Sequence, residues 1–121
     1  MSKNILIVDD SESIREVVIF TLEKAGYNVI PCVDGADAMK KLDGQEFDLI
    51  ITDLHMPNMN GLEFIKEVRK TDKYKYTPIL YLTTESQQSK KQEAKDAGAT
   101  GWIVKPFSPE KLLAAISKIL K

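Results

Sequence analysis

Ile5-Leu6-Ile7-Val8-Asp9-Asp10 sets four branched apolar residues in a row against two carboxylates. A strand with one face in water alternates apolar and polar residues. An unbroken apolar run belongs to a strand covered on both faces, as in a parallel sheet between layers of helices. The stretch Phe47 to Thr52 repeats the pattern around Leu49-Ile50-Ile51 and ends at Asp53. Ile79 to Leu82 and Trp102 to Val104 read as two further strands, and Tyr27, Val29 and Pro31 belong to a shorter one. Proline cannot donate to a ladder, so that strand is expected at a sheet edge.

Helical stretches fill the intervals. Ser11 or Ser13 can cap a first helix that carries Ile14, Val17, Val18, Thr21, Leu22 and Ala25 at helical spacing, with Gly26 at its end. Ala36 to Leu42 reads as a second helix, and Gly61 to Arg69 as a third with Leu62, Ile65 and Val68 inward. Thr71 to Thr77 reads as a polar loop, and Gln87 to Ala97 as a fourth helix closed by Gly98. Ser108 caps the last helix, with Pro109 at its first position and Leu112, Leu113, Ile116, Ile119 and Leu120 as its apolar stripe. Five βα units predict an α/β fold with one five-stranded parallel sheet and helices on both faces, in the flavodoxin-like order 2-1-3-4-5. That order puts the switch point between strands one and three, where ligands bind beyond the carboxyl ends of the strands. The residues just past those two ends are Asp9, Asp10 and Asp53.

Composition sets the outer bounds. A length of 121 residues fits one domain, 1–121, with no spare length for a separate output domain. Hydrophobic residues at 43% are enough for a core, and a net charge of −1 marks the chain as neither a nucleic-acid nor a membrane binder. No apolar run approaches the roughly 20 residues of a bilayer span. The start, Met1-Ser2-Lys3-Asn4, has no apolar leader core, and Cys32 stands alone without an internal disulfide partner. A cytoplasmic location is therefore expected.

Three carboxylates converging at one sheet edge repel one another unless a cation is near. Such an oxygen-rich site suits Mg²⁺, which keeps several waters and leaves room for a phosphate oxygen. Lys105 follows Ile103-Val104 at the end of the fifth strand, where its ammonium can pair with a carboxylate in one state and a phosphoryl group in another. Thr83 ends the fourth strand and adds a hydroxyl to the same rim. A carboxylate can act as a nucleophile toward phosphorus, giving an acyl phosphate. Any single Asp after a strand is most often a turn or cap residue, and any single Lys is most often solvated surface. What sets this pattern apart is four parts in register with four strands.

Ile7-Val8-Asp9-Asp10, Asp53-Leu54-His55-Met56-Pro57-Asn58-Met59-Asn60-Gly61, Leu82-Thr83-Thr84-Glu85 and Lys105-Pro106-Phe107 together resemble the response-regulator receiver domain, of the CheY-like single-domain type. The resemblance covers essentially the whole chain. It implies that Asp53 is the phosphoacceptor and that Asp10 and Asp53 bind Mg²⁺. The backbone carbonyl of His55 is implied as a further ligand, with Asp9 acting partly through water. It also implies that Thr83 hydrogen-bonds the phosphoryl group, that Lys105 pairs with it, that Trp102 is the switch aromatic, and that the bond before Pro106 is cis. The implied donor is a histidine kinase phosphohistidine or a small acyl phosphate. The implied output is a downstream protein, either the flagellar motor switch in chemotaxis or a phosphorelay protein. A monomer is expected, which catalyses only its own phosphoryl uptake and hydrolysis.

The chain departs from the family pattern in places. Trp102 stands for the usual Tyr or Phe, and Thr84 for Ala or Gly beside the phosphate access route. His55 and Glu85 hold positions that tune acyl-phosphate lifetime. The fourth helix carries no large apolar residue, and only Ala94 and Ala97 can face the sheet, so it is expected to be labile. Remodelling on phosphorylation is expected around that helix and the fifth strand, with Thr83 recruited and Trp102 rotating inward.

The remaining residues read as structural: Cys32 as a small buried hydrophobe, Met56 as packing, Asn58 to Gly61 as turn chemistry, and Lys66, Arg69, Lys70, Lys73 and Lys75 as a solvated helix end and loop. Three other functions compete. An aspartyl phosphatase would need a second acid two residues after its nucleophile, where His55 stands. A flavin binder would need a Ser-, Thr- or Gly-rich loop where Asp9-Asp10 stand. A pseudo-receiver without chemistry is disfavoured by the intact acidic set.

Overall fold

The sheet follows directly from the apolar runs. In the computed structural model, which describes residues 3–54, 56, 59–84 and 90–120, the strands are β1 (Asn4–Val8), β2 (Asn28–Cys32), β3 (Leu49–Asp53), β4 (Ile79–Thr84) and β5 (Gly101–Lys105). They form one five-stranded sheet in the order β2-β1-β3-β4-β5, and every pair is parallel. The flavodoxin-like expectation is met. β2, with Pro31, lies at one edge. The helices are α1 (Glu12–Lys24), α2 (Gly35–Lys41), α3 (Gly61–Lys70), α4 (Lys90–Ala97) and α5 (Pro109–Ile119).

Two apolar layers cover the sheet. One gathers Ile5, Ile7, Leu49, Ile51, Leu80 and Leu82 with Val18 and Leu22 of α1 and Leu112 and Ile116 of α5. The other gathers Leu6, Val8, Ile50, Ile79 and Tyr81 with Ala38 of α2, Phe64, Ile65 and Val68 of α3 and Ala94 of α4. Odd and even strand positions thus feed opposite layers, which is why these strands show no polar alternation.

Local chemistry sets the helix ends. Ser11, not Ser13, caps α1 and accepts from Ile14 N. Asn60 caps α3 in a reciprocal box with Glu63. Ser108 caps α5, with Pro109 in the first turn. Gly26 and Gly98 take positive φ at helix exits. Asn58, and Gln87 to Ser89 of the expected fourth helix, lie outside the described residues.

Four expectations need correction. Val17 and Ala25 face outward, since α1 turns only one stripe to the sheet. In α3, Phe64 is fully buried and Leu62 only half-buried. The stretch Thr71 to Thr77 is not merely polar loop. It holds a 3₁₀ turn, Asp72–Tyr74, and buries Tyr74, whose hydroxyl donates to Gln45 O at 2.7 Å and accepts from Gly44 N at 3.1 Å. Finally, Arg69 is not a solvated cation. Its Nε and Nη2 donate to Gly98 O at 3.0 and 2.8 Å, and its Nη1 donates to Tyr74 O at 3.0 Å and Thr77 O at 2.7 Å. One guanidinium therefore ties α3 to the exit of α4 and to the loop before β4. A Cβ on Gly98 would meet Arg69 Cγ at 2.8 Å. By contrast, Lys70 and Lys73 pair with Glu67 and Glu46 at the surface, as expected of solvated cations.

The Arg69 cluster predicts that Arg69→Met lowers unfolding free energy by about 2–3 kcal/mol in urea denaturation, because charged donors to carbonyls are worth more than neutral ones. α4 buries Ala94 fully and Ala97 partly, whereas α5 buries Leu112 and Ile116 fully and lays Leu113 and Ile119 against the core. Native-state hydrogen exchange should therefore run about tenfold or more faster in α4 than in α5, and equal protection would contradict this.

Candidate functional site

Strand register assembles the site. Val8 pairs with Thr52, so the chain leaves β1 at Asp9 and reaches the end of β3 at Asp53 on the same level. Asp53 pairs with Leu82 and Thr84 with Lys105, which brings the ends of β4 and β5 to the same rim. Asp9, Asp10 and Asp53 each present a carboxylate oxygen, and these oxygens lie within 4.8 Å of one another. Asp9 and Asp53 are buried, while Asp10 is exposed. The convergence expected from the sequence is present.

The burial is compensated by specific donors. Lys105 Nζ lies 3.3 Å from Asp9 Oδ2 and 3.3 Å from Asp53 Oδ1, bridging the two buried acids. Leu54 N donates to Asp53 Oδ1 at 2.8 Å, and Ser11 N to Asp9 Oδ1 at 2.9 Å. Arg15 Nη1 reaches back from α1 to Asp9 O at 2.6 Å. The sequence reading did not single out Arg15. Its signal was its place one turn into a helix that starts just past Asp9, close enough to fold back on the strand end. Gly61 was read as turn chemistry and as the start of the third helix, not as a contact with the acceptor strand. A Cβ there would collide with Asp53 O and stand 2.6 Å from Leu54 Cα, so α3 can approach the acceptor strand this closely only through glycine.

Burial pushes the Asp53 carboxyl above its usual value, and the charge of Asp9 pushes it further. Lys105 and the Leu54 N–H act in the opposite direction. Three converging oxygens with one exposed member are a donor set that fits Mg²⁺, a hard cation that keeps some of its waters.

The remaining residues named from the sequence lie as follows. Thr83 is fully buried, one residue beyond the partner of Asp53, and its hydroxyl donates to Thr84 O at 3.3 Å. The Lys105-Pro106 bond is cis. Trp102 is on β5 and half exposed, and Met56 is buried. His55, Pro57 and Glu85, with the carbonyl and lifetime roles expected at 55 and 85, lie outside the described residues. Burial pushes the Cys32 thiol up to about 12, which keeps it protonated at neutral pH, as suits a packing role.

Residues 5–117 match the family description "Response regulator receiver domain". The chain belongs to the response regulator receiver family. This receiver is 38% identical to chemotaxis protein CheY1 of Helicobacter pylori, over 96% of the chain and 95% of that protein. It is 39% identical to the alkaline phosphatase synthesis transcriptional regulatory protein PhoP of Bacillus subtilis, but spans only 50% of PhoP's length. Among solved structures, chemotaxis protein CheY4 of Vibrio cholerae superposes with a TM-score of 0.94 at 51% identity, covering 98% of this chain and 99% of that one. The receiver domain of sensor histidine kinase PA1611 of Pseudomonas aeruginosa superposes with a TM-score of 0.91 at 26% identity, covering 99% of this chain and 98% of that one. That structure carries a magnesium ion coordinated in its active site cleft.

A carboxyl whose pKa is raised by folding costs the folded state stability when ionised. The cost is absent below the ordinary carboxylate range and complete once pH has risen through the raised value. Asp53→Asn, studied in chelator, should therefore unfold at higher urea than the wild type at pH 7. The gap should shrink as pH falls through the carboxylate range. With Mg²⁺ at ten times its Kd, the wild type should gain about 1.4 kcal/mol of stability, and Asp10→Asn at the same Mg²⁺ concentration should gain less.

Proposed function

We propose that this chain, as one receiver domain over residues 1–121, is a phosphorylation-activated switch of a two-component system with Asp53 as phosphoacceptor. The observation that carries the reading is the Lys105 ammonium held 3.3 Å from both buried carboxylates, at the mouth of a three-acid cluster. An Asp53 carboxylate oxygen attacks phosphorus. The P–N bond of a kinase phosphohistidine, or the P–O bond of a small acyl phosphate, breaks. Its electron pair leaves with the imidazole or the carboxylate, and an acyl phosphate remains on Asp53. Lys105 then pairs with a phosphoryl oxygen in place of the Asp53 carboxylate, and Thr83 donates its hydroxyl to another. Mg²⁺ held by Asp9, Asp10, Asp53 and the His55 carbonyl would neutralise charge on the phosphoryl oxygens. The recruitment of Thr83 leaves space into which Trp102 rotates, remodelling the α4–β5 face that an output protein binds.

The chain has no turnover substrate beyond its own phosphoryl group in this reading. Its partners are a histidine kinase and a downstream protein, and it works as a cytoplasmic monomer without nucleic acid. No helix among the described residues is long and apolar enough to cross a membrane. The likeness to CheY1 and CheY4 along nearly their whole lengths favours chemotaxis as the pathway, with the flagellar motor switch as output. The match to PhoP keeps a phosphorelay or transcriptional pathway as the second reading.

Intact-mass analysis after incubation with acetyl phosphate and Mg²⁺ tests the reading. One phosphoryl adduct is expected on the wild type, none on Asp53→Asn, and none in chelator. A wild type that stays unmodified even with a kinase supplied would favour the pseudo-receiver.

A further inference from the structure

Trp102, the second residue of β5, has 48% of its surface exposed, beside a groove of about 420 Å³ lined by Tyr81, Lys91, Lys95, Thr100 and Gly101. An indole above a groove is not fixed by close packing, so its orientation depends on a few contacts. Two are present. The Tyr81 ring stacks against it, with centroids 6.4 Å apart and planes 29° apart. The Lys91 ammonium sits 4.5 Å from the indole centroid. Indole is the best of the three aromatic faces for an ammonium, so the Trp that departs from the family's Tyr or Phe is also the side chain that makes this contact strongest.

We propose that Tyr81 and Lys91 form a latch that holds Trp102 outward, with Lys91 the positioning residue that couples the switch aromatic to α4. The assignment of Trp102 as switch rests on the reading given above. The two halves of the latch differ in kind. Tyr81 is 2% exposed and belongs to the core layer with Phe64, Val68 and Ala94, so it is a fixed platform. Its buried hydroxyl has no hydrogen-bond partner among the described residues, so the side chain serves through its ring face. Lys91 is on the first described turn of α4, the helix with the least apolar anchoring, so it is the half that can leave. In that reading, inward rotation of Trp102 carries the indole from Tyr81, its register partner, toward Thr83, two residues further along β4. That motion breaks the ammonium contact. Coupling is reciprocal: displacement of α4 loosens Trp102, and rotation of Trp102 releases α4.

The test reads the side-chain rotamers of Trp102, the sole tryptophan, in the full unphosphorylated chain in chelator. Three-bond couplings across its Cα–Cβ bond give the outward-to-inward ratio. Lys91→Gln should lower that ratio about two- to fivefold, the factor that a half-exposed cation–π contact supplies. Lys91→Arg, which keeps a cation over the ring, and Tyr81→Phe, which keeps the stack, should leave it at the wild-type value. An unchanged ratio in Lys91→Gln, or an equal fall in Lys91→Arg, would overturn the latch. No phosphoryl donor is used, so the latch can fail while Asp53 still accepts phosphate. Equally, the ratio can fall as expected in a chain that is never phosphorylated, which would sink the switch reading and leave the latch standing.

Discussion

Asp9 and Asp53 are two buried carboxylates at the ends of neighbouring strands, and the Lys105 ammonium lies between them. Much of the rest of the molecule can be read as the means of holding that arrangement. Parallel strands end on one rim, which is the only way residues from β1, β3 and β5 can meet there. The two apolar layers fix the register that puts Asp9 level with Asp53. Arg15 and Ser11 N supply donors to Asp9 oxygens, and Leu54 N adds a second partner to the Asp53 Oδ1 that Lys105 approaches. Gly61 lets α3 close against the acceptor strand without displacing it. The result is a site under electrostatic tension, in which one ammonium, Lys105, is shared by two acids and the Asp53 carboxyl is pushed up by burial and by its neighbour.

Such a site is primed for exchange. A carboxylate that shares an ammonium with a neighbour gains when a new group arrives with negative oxygens of its own, because the ammonium can turn to it while the acyl linkage removes the charge from the acceptor. The fold supplies the response on the neighbouring strands β4 and β5. Thr83 is buried one residue past the partner of Asp53, and Trp102 lies on the adjoining strand beside an open groove.

The sheet was legible in the sequence because its strands are unbroken apolar runs ending in charged residues, and Pro31 named the edge strand. The acid cluster was legible for the same reason: it follows from strand order alone. What escaped was contact between elements. Arg69 lies among lysines and looked like one more solvated cation, but a planar donor fork finds carbonyls that an ammonium would leave to water. Tyr74 sat in a polar stretch whose spacing carries no period, so its burial depends on the loop before β3 that its hydroxyl holds. Phe64 and Leu62 both pack on the inner layer, Phe64 fully buried and Leu62 partly, a difference that apolar spacing alone did not show. Tyr81 was hidden inside a strand run, where ring and aliphatic residues read alike. It supplies the bulk in the layer that α4 shares, where Ala94 has little to offer.

Arg69 has a mechanical consequence as well. By gripping Gly98 O with two of its nitrogens, it fixes α4 at its C-terminal exit, while the opposite end carries no comparable clamp among the described residues. A rod held at one end swings about that end. α4 spans eight described residues, or about 12 Å of helix, so a tilt of about 10° would move its far end by about 2 Å and leave Gly98 almost still. The far end carries Lys91, and the still end adjoins the entry to β5. A small angular change is thus delivered almost wholly at the Lys91 end, over Trp102, and the junction with β5 is spared.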